Sequence, residues 1–140
     1  MSLKISRLSS YFLGALISCV LLTGCSEIVG DYNLTRNVRV DLMDWHISGF
    51  WVINCPVAWL RVTNYNTVPI KDVTVEYTTY DAEGHKLDHG TYLIDYTTDH
   101  PVGPHDSKNF IELYLGLVDL YSSRLSVKLL SVSRASGGGH

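Results

Sequence analysis

The sequence predicts an all-β fold, an antiparallel sandwich of about seven short strands. Three observations predict it. Short runs alternate apolar and polar residues with period two. Turn residues punctuate those runs about every ten positions. No segment of ordinary helix length after residue 25 has a helical period. With 140 residues and 46% hydrophobic content, the chain has room for one domain core.

The first element is a helical leader. Met1 to Ser10 carries Lys4 and Arg7 and no acid, and Tyr11 to Leu22 is an uncharged, mostly apolar run of 12. That is the layout of a signal peptide, too short to span the hydrocarbon core, which takes about 20 helical residues. The run ends on Leu22-Thr23-Gly24-Cys25, which resembles the lipobox of bacterial lipoproteins. Small residues at 23 and 24 fit a peptidase groove, and Cys25 supplies the thiol. The resemblance implies residues 1–24 as signal peptide and Cys25 as a lipidated N-terminus held by two or three acyl chains. Ser26 rather than Asp follows the cysteine, which in an enteric-type envelope implies the periplasmic side of the outer membrane. Residues 25–36 read as a polar tether.

The strands follow in order over residues 37–133. Asn37 to Met43 sends Val38, Val40 and Leu42 one way, and Arg39, Asp41 and (less cleanly) Met43 the other. Asp44 to Pro56 is aromatic and irregular, with Gly49 as a breaker and a short strand near Phe50 to Ile53. Trp45 and Trp51 there read first as a lid on the core, and second as a ligand platform. Val57 to Asn64 faces Ala58, Leu60 and Val62 inward, with Trp59 and Arg61 outward. Tyr65 to Pro69 is a turn. Ile70 to Asp81 is the clearest strand, with Val73, Val75, Tyr77 and Thr79 on one face. Asp81-Ala82-Glu83-Gly84 is a hairpin connection with Gly84 at positive φ. His85 to Tyr96 returns antiparallel. Thr97 to Ser107, with two prolines, is a loop crossing between sheets. Lys108 to Leu115 places Ile111, Leu113 and Leu115 inward. Gly116 to Arg124 suits a bend or a single helical turn. Leu125 to Ser133 is apolar on both faces and therefore expected at a central or covered position. Residues 134–140 form a Gly/Ser tail expected to be disordered.

This count and spacing argue for immunoglobulin- or fibronectin-like topology, without the disulfide and core-tryptophan signature of true immunoglobulin domains. Leu60-x-Val62-x-Asn64, Pro69-Ile70-x-x-Val73-x-Val75 and Tyr80-Asp81-x-x-Gly84 together resemble the FxLYD domain of prokaryotic secreted proteins and lipoproteins. Its naming motif falls on Tyr77 to Asp81, with Thr79 where the family has Leu. Pro101-x-Gly103 to Phe110 resembles its later loop and strand. The resemblance covers roughly residues 57–112 and implies a fold, not an activity.

Charge and cysteines bound the function. The chain carries a formal −3; without Lys4 and Arg7, nine basic residues face fourteen acidic ones, for −5. An acidic domain lacks the basic footprint of nucleic-acid binding and gains no attraction to anionic lipid. Membrane attachment therefore falls to lipid on Cys25. Cys19 lies in the leader, so Cys55 has no disulfide partner and reads as a small buried apolar residue, with a dimer-forming or reactive thiol as the alternatives.

No nucleophile motif, phosphate loop or acid pair stands out, so neither an enzyme nor a cofactor is expected. The leading expectation is a partner protein in the envelope, met through exposed aromatics at Trp45, Trp51, Trp59 and Tyr80 or through a free strand edge. The alternative is a metal or small-ligand site. His85, His89, His100 and His105 fall within 21 positions beside Asp81, Asp88, Asp99 and Asp106. Imidazole and carboxylate together suit zinc or copper.

Overall fold

The computed structural model describes residues 32–50 and 52–136. The leader, Cys25, Trp51 and residues 137–140 lie outside them. Among the described residues there are six strands: β1 (Val38–Phe50), β2 (Ile53–Asn64), β3 (Ile70–Tyr80), β4 (Lys86–Leu93), β5 (Ser107–Tyr114) and β6 (Arg124–Arg134). A single-turn helix, α1 (Tyr96–Asp99), follows β4. One sheet has the order β1-β2-β5 and the other β4-β3-β6, with every pairing antiparallel. If the strands are lettered A, B, C, C′, E and F, the sheets are A-B-E and C′-C-F. That is immunoglobulin/fibronectin-like order, running to F among the described residues.

The count is six rather than seven because Asp44 to Pro56 is neither irregular nor broken. Asp44 to Phe50 extends β1, Ile53 to Pro56 begins β2, and the two pair continuously as one long hairpin. Gly49 does not break the strand. A Cβ there would overlap the Ile53 carbonyl and crowd Asn54, so glycine is what permits the close hairpin approach.

The core lies between the sheets. Ala58, Leu60 and Val62 from β2 meet Val73, Val75, Tyr77 and Thr79 from β3, all buried on the faces that alternation predicts. The described pairings carry five one-residue register shifts, and three of them bear on which apolar residues face the core. In β1, Leu42 opposes Leu60 and Asp44 opposes Trp59, so Met43 is extra, and Trp45 and Ile47 turn onto the core. In β5, Phe110 opposes Leu60 and Leu113 opposes Ala58, and Glu112 has φ 55°. Phe110 is therefore buried while Ile111 points out, correcting the expectation that Ile111 faces inward. In β6, Thr74 opposes Ser131 and Val75 opposes Leu129, leaving Leu130 unpaired and exposed. The two-faced apolarity of β6 thus marks a bulge. The strand lies at a sheet edge, not at its centre, and packs beside β1.

The crossing between sheets runs through residues 94–106, as expected, but it is firmly tied. Val102 bridges Ile70 in both directions, and Thr97 Oγ1 accepts from Val73 N–H while donating to Ile94 C=O. Gly116 to Arg124 is a bend, with Leu117, Leu120 and Tyr121 exposed. Both chain ends extend the ordered domain beyond 37–133. Leu34, in a helical turn over residues 32–36, is buried. Ala135 is buried as well, its N–H donating to Pro69 C=O.

Candidate functional site

Among the described residues, the outer face of the β1-β2-β5 sheet carries a groove. Alternation sends Trp59 and Arg61 outward from β2. The bulge in β1 turns Met43 out on one side of Trp59, and the bulge in β5 turns Ile111 out on the other. Met43 is 50% exposed, Trp59 37% and Ile111 69%. Together with Arg61 and Asn109 they line a groove of about 190 Å³. Its polar wall is set by Arg61 Nε donating to Asn109 Oδ1 at 3.0 Å.

A second concavity, about 330 Å³, lies on the other side of Ile111, reaching Leu113 and Tyr96. Tyr96 stands edge-on to Phe110, with ring centroids 6.2 Å apart. The result is an apolar strip from Met43 through Trp59 and Ile111 to Tyr96, crossing the sheet and its free β5 edge. Side chains of this size remove much apolar area from water when covered, the rings of Trp59 and Tyr96 at small entropic cost.

The four aromatic residues expected to make contacts do not converge. Trp59 lies in the groove. Trp45 faces inward, half-buried against the core, which favours the lid reading over a contact role. Tyr80 lies on the outer face of the opposite sheet, with the Arg124 guanidinium 4.3 Å over its ring. Trp51 lies outside the described residues. Sequence reasoning missed Met43, Ile111 and Tyr96. The first two are exposed only because of bulges. The irregular phase of Met43 was the available signal, and at Glu112 no sequence mark betrays the bulge.

The histidines disperse as well. His89 faces outward from β4 opposite Thr78. His100 stacks on Tyr96, centroids 4.1 Å apart and planes 7° from parallel. His105 occupies a positive-φ position, its N–H donating to Asn66 C=O. His85 turns instead to Asp81, with Nδ1 3.0 Å from Oδ2. Among the described residues, the group of three or more metal-type ligands is Asp81, Glu83 and His85, without the other histidines. The neighbouring acids have structural duties: Asp88 accepts from Asp119 N–H and Asp106 from Ser107 N–H.

The pKa of Arg39 in β1 is raised by its hydrogen bond and ion pair with Asp41. Burial pushes the Tyr77 and Tyr92 hydroxyls above their ordinary pKa, with negative charge on Cys55 and Asp88 adding at Tyr77, and on Asp95 and Cys55 at Tyr92. Cys55 itself is half-buried and free, its Sγ 3.6 Å from Pro56 C=O. For Asp81, partial desolvation pushes upward, but hydrogen bonds from His85 and Gly84 outweigh it and hold the carboxyl below its ordinary value.

No protein-family model matches the chain, and no curated protein matches it. Among solved structures, the chain is similar to one described as "X-ray structure of Northeast Structural Genomics Consortium target SoR45". The identity is 11%, the match covers 75% of this chain and 91% of that one, and the TM-score is 0.40. Among the described residues no helix is long and apolar enough to cross a membrane.

Proposed function

We propose that the chain is a lipid-anchored cell-envelope protein whose β-sandwich is a non-enzymatic interaction or envelope-assembly module. The observation that carries the interaction half is the apolar strip of Met43, Trp59, Ile111 and Tyr96 beside Arg61. A stable domain gains nothing from holding these side chains in water, whereas a partner that covers them does. The anchoring half rests on the lipobox-like Leu22-Thr23-Gly24-Cys25 behind its basic and apolar leader. In an organism with two membranes, Ser26 after the cysteine supports the periplasmic side of the outer membrane. The resemblance to FxLYD domains over residues 57–112 belongs to the same reading and supplies fold without activity.

The test is site-specific photocrosslinking in cells, with the reactive group at Met43 or Ile111 and, for comparison, at Tyr80. A discrete, reproducible crosslinked protein is expected from the first two positions. It should disappear when Trp59→Ala is added. Absence of any such species at both Met43 and Ile111 would sink the interaction reading. A Cys25→Ala variant tests the anchor separately: it is expected to leave the membrane fraction while keeping its fold. Retention through a carbonate wash would replace lipidation by an uncut signal anchor.

A further inference from the structure

We propose that the β3–β4 hairpin binds a divalent first-row transition metal, of which Zn²⁺ is the type, between Asp81, Glu83 and His85. This is a different set from four converging histidines, and it does not depend on the envelope reading.

The hairpin backbone places the three side chains together. Gly84 N–H donates to Asp81 C=O at 3.2 Å, closing a turn over Asp81–Gly84, and Asp81 N–H donates to His85 C=O at 3.0 Å. Gly84, at φ 89°, supplies the left-handed residue the closure needs. Asp81 and His85 are therefore a directly paired couple with side chains on one side of the ribbon, and Glu83 reaches them from the turn. One ligand atom from each lies within 4.8 Å of the other two.

The spacing fits coordination. Tetrahedral metal–ligand bonds of about 2.0–2.2 Å place ligands about 3.3–3.6 Å apart. His85 Nδ1 and Asp81 Oδ2 stand 3.0 Å apart in their hydrogen bond, a few tenths of an ångström inside that separation. Glu83 is exposed, so its side chain is not held away from the pair by packing. His85 N–H donates to Asp81 Oδ1 at 2.7 Å, so one oxygen stays fixed by backbone while the other turns to the metal.

The donor set selects the ion class. One imidazole with two carboxylates suits Zn²⁺, Cu²⁺ or Ni²⁺ better than Ca²⁺ or Mg²⁺, which take oxygen ligands. Waters complete the coordination on this open hairpin. The Nδ1 that meets the metal must be unprotonated, so the neutral imidazole carries its proton on Nε2 in the complex. The Nδ1–H···Oδ2 bond is exchanged for two metal bonds. A protonated imidazole must release one proton, so binding weakens on acidification.

The test is calorimetric titration of ZnCl₂ into the full-length chain in detergent, in a buffer that does not chelate. One saturable Zn²⁺ per chain is expected. His85→Ala and Glu83→Gln are each expected to weaken it by about tenfold or more. Glu83→Gln keeps every hydrogen bond that closes the hairpin, so it reports on ligation even if another variant disturbs the fold. A variant whose only histidine is His85 (His46, His89, His100 and His140→Ala, His105→Asn) is expected to bind as the parent does. Cu²⁺ on that variant should show coupling to a single imidazole nitrogen by electron paramagnetic resonance. The proposal is overturned if the parent shows no saturable site, or if Glu83→Gln and His85→Ala bind as tightly as the parent.

Discussion

Asn64 is the residue whose loss the structure predicts most sharply. It is fully buried at the end of β2. Its Nδ2 donates to Val68 C=O at 2.9 Å, Val102 C=O at 3.1 Å and Gly103 C=O at 2.9 Å. Two amide hydrogens serve three carbonyls, so one bond is shared. Its Oδ1 accepts from Asn66 N–H at 3.0 Å and from Asn66 Nδ2 at 2.9 Å. Asn66 Nδ2 also donates to Leu34 C=O at 3.0 Å. The pair thus ties the N-terminal turn, the β2–β3 connection and the crossing loop into one end of the sandwich.

Asn64→Ala strands about four buried polar groups at about 1 kcal/mol each, a loss of roughly 4 kcal/mol. Against a typical total stability of about 5–15 kcal/mol, that is a large share. It corresponds to a drop in Tm of roughly 15 °C for a domain of this size. Urea unfolding followed by tryptophan fluorescence should show a lower midpoint at an unchanged slope. The double variant with Asn66→Ala should be less than additive, because both singles break the same two bonds. A loss under about 1 kcal/mol, or strict additivity of the two within about 0.5 kcal/mol, would refute the network as described.

Gly116→Ala should destabilise by about 1–3 kcal/mol, since its Cβ would overlap the Tyr77 hydroxyl, and adding Tyr77→Phe should recover much of that in the same urea assay. Ser122→Ala should be neutral or slightly stabilising, by about 0–1 kcal/mol, because among the described residues its buried Oγ is the side-chain polar atom left without a partner. Stability should fall as pH rises past about 10: burial raises the folded pKa of Tyr77 and Tyr92, so the unfolded chain loses those protons first, and Tyr77→Phe should flatten the decline in pH-dependent melting. At the acid end, the lowered pKa of Asp81 gives stability that is present above its ordinary value and lost as pH falls through the folded one; His85→Ala should shrink that dependence in the same melts.

Legibility followed regularity. β3 could be phased from sequence because its residues from Val73 to Tyr80 alternate without interruption, and every inward residue assigned there is buried. The β3–β4 hairpin was legible because its turn chemistry is local: Asp81 and Gly84 specify it within four residues. The bulges were not, because an extra residue at Met43, Glu112 or Leu130 is defined by the partner strand's register, which no local pattern contains. Each bulge moves the apolar phase by one, so Ile111 was assigned to the core and Leu130 taken as a sign of double burial. The groove went unseen for the same reason, since two of its walls exist only through those shifts. Asn64 gave no signal of its role either: its acceptors, Val102 and Gly103, lie 38 and 39 positions away.

The register also orients the module. β1 runs from Val38, opposite Asn64, to Phe50, opposite Ile53. Its 13 residues span roughly 40 Å at about 3.3 Å each. The helical turn at residues 32–36, the Asn64–Asn66 network and Ala135 gather at the starting end, where the chain enters from the direction of Cys25. The β1–β2 turn, the β3–β4 hairpin and the 115–123 bend gather at the other end, linked by the Asn54–Val118 bridge and by Ser123 N–H donating to Tyr80 C=O. An anchor acting through the N-terminal segment would therefore pull on the end that the Asn64–Asn66 network ties together. The metal-type ligands would stand at the opposite end, with the Trp59 strip along the side between them. Loosening that end by Asn66→Ala should accordingly raise proteolysis near residues 97–106 while leaving Zn²⁺ affinity unchanged. Parallel loss of both would mean that the two ends unfold as one unit.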